Sequence, residues 1–304
     1  MCFALSGTVC RALPPLVAVA AGLIAALAPV SAPSASGQIA VVAAENFYGD
    51  VAQQVGGGHV NVTSILTNPD QDPHLFETSP SIARLVAGAQ IVVYNGADYD
   101  AWMDRLLRID RGGRRATIVA ADLLHKKPGD NPHLWYDPQC IPAVAKALAA
   151  AFAAADSAHK DDYAARLNVF LASLAPLDTK IAAMRSKYAD TSVAASEPVF
   201  SYMADALALN VLDKHFQLAV MNGTEPSAAD IAAIEHDLAA RKVRVFFYNK
   251  QATDKIVQHL VSLARESGIP VVGVTETLPP KMSYRDWILS ELDATEAALG
   301  GSGS

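Results

Sequence analysis

Short apolar, β-branched runs alternate with helix-period segments twice along this chain, and that alternation is what most restricts its fold. In the first half, residues 39–44, 60–66, 91–94 and 116–120 have the length and composition of buried strands. Between them, residues 46–55, 79–87 and 100–107 carry helical spacing. Ser79 stands where an N-cap belongs, with Pro80 at the first helical position. In the second half, strands are expected at 192–195, 243–248 and 269–274, and helices at 200–208, 228–241, 252–267 and 284–299. A strand, a helix and a strand in succession imply parallel pairing through a crossover. Residues 142–155 and 159–188 separate the two halves and are rich in Ala and Leu at helical period. The second of these would reach about 45 Å as one helix. The expected fold class is therefore α/β: two lobes with mainly parallel sheets, residues 36–156 and 190–304, joined by one long linking helix over 157–189. A single rigid connector should let such lobes close less than flexible strands would.

The first 35 residues read as an address. They hold no acidic residue and one Arg, Arg11, ahead of an apolar run over 13–30 that Pro14 and Pro15 interrupt. Small residues follow, and cleavage is expected after Ala32 or Ala35. Cys2 and Cys10 precede the apolar run, so neither sits where a lipid-modified cysteine would. The mature chain keeps only Cys140 and has no internal disulfide to form. No later stretch reads as a membrane span, so a soluble periplasmic protein is expected. Apolar residues make up 51% of the chain, enough for a substantial core, and the net charge of -7 argues against a nucleic-acid partner. The Gly-Gly-Ser-Gly-Ser end reads as a flexible tail.

Two histidines lie in unusual settings. His74, in Asp72-Pro-His-Leu-Phe-Glu77, follows a strand and precedes a helix; His133, in Asn131-Pro-His-Leu-Trp-Tyr-Asp-Pro138, also precedes a helix. Proline restricts the backbone on both sides of itself, so each loop aims an imidazole in a set direction. Ligands of open α/β sheets bind beyond the carboxyl ends of the strands, and neutral imidazole is the commonest metal ligand. Glu197 ends one predicted strand ahead of a helix, where capping would also suit it. Glu276 follows the last strand. Each half thus offers two ligand-type residues at its strand ends. His159, His236 and His259 read as solvated helix residues, His125 as part of a charged loop, His59 as a residue after three glycines and His215 as a loop residue. None of these six is expected to bind metal. The chain lacks H-E-x-x-H, G-x-S-x-G, a P-loop and C-x-x-C, and Cys140 has no basic neighbour in sequence to support a thiolate.

Pro73-His-Leu-Phe-Glu77, then Ala89-Gln-Ile-Val-Val-Tyr-Asn-Gly96, then Pro132-His-Leu-Trp-Tyr-Asp-Pro138 resemble the motifs of the cluster A-I metal-binding solute-binding proteins of ABC transporters, the zinc- and manganese-uptake kind. The resemblance covers nearly the whole mature chain. It implies two α/β lobes with one metal ion in the cleft between them, and His74, His133, Glu197 and Glu276 as its ligands. It further implies a membrane ABC permease as partner and a protein that is not an enzyme; a monomer is expected. The chain departs from zinc-uptake members in having Glu197 where a third His is usual, and it lacks their long His-rich loop: residues 112–131 hold His125 alone. It departs from manganese members in having Glu276 where Asp is usual.

Two imidazoles and two carboxylates neutralise a divalent cation, and bidentate carboxylates raise its coordination number. That favours Mn2+ or Fe2+ over tetrahedral Zn2+, although Zn2+ binds such ligands more tightly than Mn2+ in the Irving–Williams order. Two other readings stay open from the residues alone. One is a metal-dependent hydrolase using the same cleft, with Glu77 as its base; the other is an organic-solute-binding protein whose histidines are structural.

Overall fold

The computed structural model describes residues 37–70, 73, 76–109, 115–252 and 254–301. The proposed leader, His74 and residues 302–304 lie outside them. In the first half, β1 (Ile39–Glu45), β2 (Val60–Leu66), β3 (Ile91–Tyr94) and β4 (Ala116–Val119) form a parallel sheet in the order β2-β1-β3-β4. Its helices are α1 (Asn46–Gly56), α2 (Pro80–Gly88), α3 (Ala101–Ile109), the short α4 (Ala120–Leu123) and α5 (Cys140–Ala155). Ser79 caps α2 as expected, its side chain accepting from the Ile82 N–H. The linking segment is α6 (Lys160–Ser173) and α7 (Ala175–Tyr188). In the second half, β5 (Ser192–Ala195), β6 (Asn210–Val211), β7 (Phe246–Asn249) and β8 (Val271–Val274) repeat the same parallel order, β6-β5-β7-β8. Helices α8 (Ser201–Ala206), α9 (Lys214–Met221), α10 (Ala228–Ala239), α11 (Lys255–Glu266) and α12 (Tyr284–Gly300) surround it.

Three details differ from the sequence reading. The long helix is interrupted at Leu174, because Pro176 has no N–H to donate and its ring crowds the carbonyl four residues back. The last strand starts at Val271, after Pro270, for the same lack of a donor. β6 and α9 were not anticipated; β6 is two residues long and carries no periodic signal. By length and composition alone, the helical stretch Ser157–Tyr188 could cross a membrane, contrary to expectation. It is mostly exposed, however, and buries Leu177, Met184 and Tyr188 in the core while carrying Asp178, Lys180, Arg185 and Lys187 elsewhere on its surface.

Strand alternation divides the apolar side chains among three cores. Val41, Ala43, Ile91 and Val93 face inward, as do Val193, Ala195, Phe247, Val272 and Val274 of the second sheet, and all of these join one central core. Val42, Ala44, Val92 and Tyr94 face the outer helices of the first sheet. Ala194 and Phe246 face those of the second. The central core contains a run of aromatic rings from one sheet to the other: Phe47 to Trp135 at 4.9 Å and to Trp287 at 5.8 Å, Trp287 to Tyr136 at 5.9 Å, Tyr136 to Phe200 at 5.3 Å, and Phe200 to Phe247 at 4.8 Å. Edge and tilted ring contacts at these spacings add to the area term. The two sheets therefore sit on shared packing.

Candidate metal centre

The carboxyl ends of the parallel strands in both halves converge on one buried polar cluster. His133 comes from the loop before the 3-10 turn Leu134–Tyr136, and its side chain is fully buried. Asn131 orients it. The Asn131 Oδ1 lies 2.6 Å from His133 Nδ1 and accepts the His133 backbone N–H at 3.1 Å. A ring that donates from Nδ1 keeps the Nε2 lone pair for a ligand. That Nε2 lies 3.5 Å from Glu276 Oε2. Asn131 also donates to the Pro198 carbonyl at 2.8 Å and its own carbonyl accepts from Tyr202 at 2.8 Å, so the residue that aims His133 is tied to the second half.

A second support comes from the end of β3. Asn95 donates to the Pro132 carbonyl at 2.8 Å and accepts from the Tyr48 hydroxyl at 2.8 Å. The loop after it is held by Asp100, whose carboxylate accepts from the backbone N–H of Asn95 at 2.7 Å and of Gly96 at 2.8 Å. Gly96 is required there: its φ is +77°, and a Cβ would stand 2.6 Å from Val119.

In the second half, two strands on either side of β7 supply the acids. Glu197 lies two residues past the end of β5 at the N-cap position of the 3-10 turn Pro198–Phe200, but its side chain makes no capping hydrogen bond there. The expected alternative of a purely capping carboxylate is thus not what this residue does. Glu276 follows β8 and is wholly buried. Asn249, the last residue of β7, joins the two: its Nδ2 lies 2.5 Å from Glu276 Oε1 and 3.5 Å from Glu197 Oε2. Gln251 accepts from the Glu276 N–H at 2.6 Å and donates to Thr277 at 2.8 Å, fixing the loop. Behind it, buried Glu291 of α12 accepts from Tyr136 at 2.6 Å, from Trp287 at 3.0 Å and from the Thr275 N–H at 3.2 Å.

The cluster gathers buried carboxyl groups. Burial lifts Glu291 to about 7 and Asp100 to about 6. Glu45, at the end of β1, is raised well above its ordinary value by burial and then by the charge of Asp100. Burial, then the fields of Glu276 and Glu45, raise the Tyr99 phenol well above its ordinary value. Carboxylates gathered in a dry site repel unless a proton or a cation lies among them. Cys140 is buried beside Tyr48 with its thiol pushed to about 12, which gives no thiolate. Glu77 is exposed.

The structure thus brings three of the four sequence candidates together: His133, Glu197 and Glu276. His74 falls outside the described residues. Asn95, Asn131, Asn249, Gln251 and Glu291 were missed as supports; Asn95 and Asn131 had a signal, lying within the motifs around the two strand ends. Of the other histidines, His125, His215, His236 and His259 are exposed, and His215 lies on α9 rather than in a loop. His59 and His159 are part-buried and meet each other.

Comparison with known proteins agrees with this architecture. The chain is 25% identical over 248 residues to the manganese-binding lipoprotein MntA of Bacillus subtilis, covering 77% of this chain and 78% of that one. It is 21% identical over 251 residues to the iron ABC transporter substrate-binding lipoprotein MtsA of Streptococcus pyogenes, covering 78% and 79%. The fold matches the periplasmic zinc binding protein TroA from Treponema pallidum with a TM-score of 0.73 at 18% identity, over 86% of this chain and 99% of that one. A model of the family described as zinc-uptake complex component A, periplasmic, matches residues 41–298. The chain belongs to that zinc-uptake component A family.

Proposed function

We propose that this protein captures a divalent transition-metal ion outside the cytoplasmic membrane and delivers it to the permease of an ABC importer. The observation that carries this reading is the meeting of His133 with Glu276, and of Glu276 with Glu197 through Asn249, at facing strand ends of the two halves. His74 is the fourth ligand in this reading, on the strength of its Pro-His loop. The names of the relatives support the cargo class, since they bind manganese or zinc or belong to iron transport. Two carboxylates among four ligands favour Mn2+ or Fe2+ over Zn2+ as the intended ion.

The protein acts as a monomeric binding component with no catalytic role. It is exported to the periplasm by the 1–35 leader, cleaved after Ala32 or Ala35.

Elemental analysis of the purified mature chain tests the reading. Its cleft should carry about one tightly held equivalent of Mn, Fe or Zn, which His133→Ala loses. An empty protein after metal-supplemented folding points to an organic solute, and turnover of phosphoester or ester substrates by the loaded protein points to a hydrolase.

A further inference from the structure

We infer that His59, His159 and Asp156 form a second divalent-metal site, separate from the cleft, for a late transition metal such as Zn2+ or Cu2+. His59 ends the 3-10 turn Gly57–His59 between α1 and β2. Asp156 and His159 bracket the turn between α5 and α6. One donor atom from each of the three lies within 4.8 Å of the other two. The two imidazoles stack with centroids 4.0 Å apart and planes at 25°.

The surroundings suit a cation. His159 Nδ1 is 2.6 Å from Asp156 Oδ2, and Asp156 also accepts from the Tyr163 hydroxyl at 3.0 Å. Asp162, in the first turn of α6, lies 3.2 Å from His59 Nε2. Asp161 and Asp162 offset the positive end of the α6 dipole, while the Arg166 guanidinium lies against Gly57 and is the nearby opposing charge. Two imidazoles with one or two carboxylates make a nitrogen-rich, borderline-soft donor set, which selects the late divalent ions. Ligand bonds of about 2.0–2.2 Å need the donors roughly 3–3.5 Å apart. The side chains of His59 and His159 are 26% and 37% exposed, so they have room to draw in.

The place of the site in the fold separates it from the cargo. His59 sits at the amino end of β2, whereas the cleft residues lie at the carboxyl ends of the strands. Along a seven-residue strand that is about 20 Å. An ion held there would pin the α1–β2 turn to the α5–α6 turn and stabilise the first lobe by mass action.

The test is Zn2+ titration of the metal-stripped full chain against a chromophoric chelator, comparing wild type, His133→Ala and the double variant His59→Gln/His159→Gln. The double variant should lose one equivalent that His133→Ala retains. With Cu2+ loaded into His133→Ala, the electron paramagnetic resonance spectrum should show coupling to two imidazole nitrogens. Unchanged stoichiometry in the double variant, or a Cu2+ spectrum that His59→Gln/His159→Gln does not alter, overturns the second site. The His133→Ala arm reports on the cleft alone, so failure of one site is distinguishable from failure of the other.

Discussion

His133 Nε2 and Glu276 Oε2 stand 3.5 Å apart, each on a wholly buried side chain and each from a different half of the molecule. In the proposed site, a metal ion between them would be bound by both halves at once. If His133 is a ligand, as proposed, replacing it with Ala should lower affinity for Mn2+ and Zn2+ by more than about 100-fold, beyond the loss typical of a supporting residue. His74→Ala should behave alike. Competition titration with wild-type affinity in either variant would take that histidine out of the site.

Asn249 touches both carboxylates but has no lone pair in the right place to be a main ligand. Asn249→Leu should therefore weaken metal binding by roughly 10–100-fold while leaving the fold intact. Circular dichroism and titration on the same sample check it; a loss as deep as that of His133→Ala would make Asn249 part of the inner shell.

Protons compete with metal for imidazole nitrogen. Cargo affinity should decline as pH falls through about 6.5, the ordinary histidine value, and the carboxylates should extend the loss at lower pH. An affinity constant from pH 7.5 to 5 would argue against histidine ligation.

Glu291 gives a pH effect on stability with the opposite sense. Its pKa is raised by burial to about 7 from an ordinary 4.5. Between those values the folded chain holds a proton that the unfolded chain has lost. Its contribution is thus full below pH 4.5 and is lost as pH rises through about 7, worth on the order of 3 kcal/mol. Glu291→Gln, which keeps acceptors for Trp287 and Thr275, should flatten that part of the profile and raise stability above pH 7. Denaturant melts at pH 5 and pH 8 in both proteins decide it; parallel profiles would remove Glu291 from the titration.

Glu197→His replaces a hard, potentially bidentate carboxylate, a proposed ligand, with imidazole. The ratio of Zn2+ to Mn2+ affinity should rise, and the ratio is the right quantity because Zn2+ binds more tightly in either protein. An unchanged ratio would leave Glu197 without a role in selecting the metal.

Much of this was legible in sequence because it is local. β-branched runs of four to seven residues can hide both faces only in a covered sheet, and Pro-His loops announce where the chain is held. The symmetry of the strand ends pointed to Glu197 and Glu276 before any contact was seen. What escaped depends on residues meeting from afar. Asn249 and Gln251 sit in Tyr248-Asn-Lys-Gln251, a string with no motif, and matter only because β7 lies between β5 and β8. Glu291 reads as an ordinary helix acid until α12 turns it toward Thr275. His59 and His159 are separated by many elements in sequence, and each alone resembles a surface histidine. Pro176 was visible, but the helical period continues on both sides of it and masked the break.

The aromatic run from Phe47 to Phe247 bears on how the protein comes apart. Lobes with separate cores can melt one after the other, with distinct thermal transitions. Here Trp135, Trp287 and Tyr136 belong to both, so neither sheet can lose its inner face while the other keeps its own. Heating should give a single calorimetric peak whose van't Hoff and calorimetric enthalpies agree. Release of the ion to a membrane partner then cannot proceed by loosening one whole lobe. It is left to the short segments that hold the proposed ligands, among them the loops that place His133 and Glu197 just ahead of the turns Leu134–Tyr136 and Pro198–Phe200.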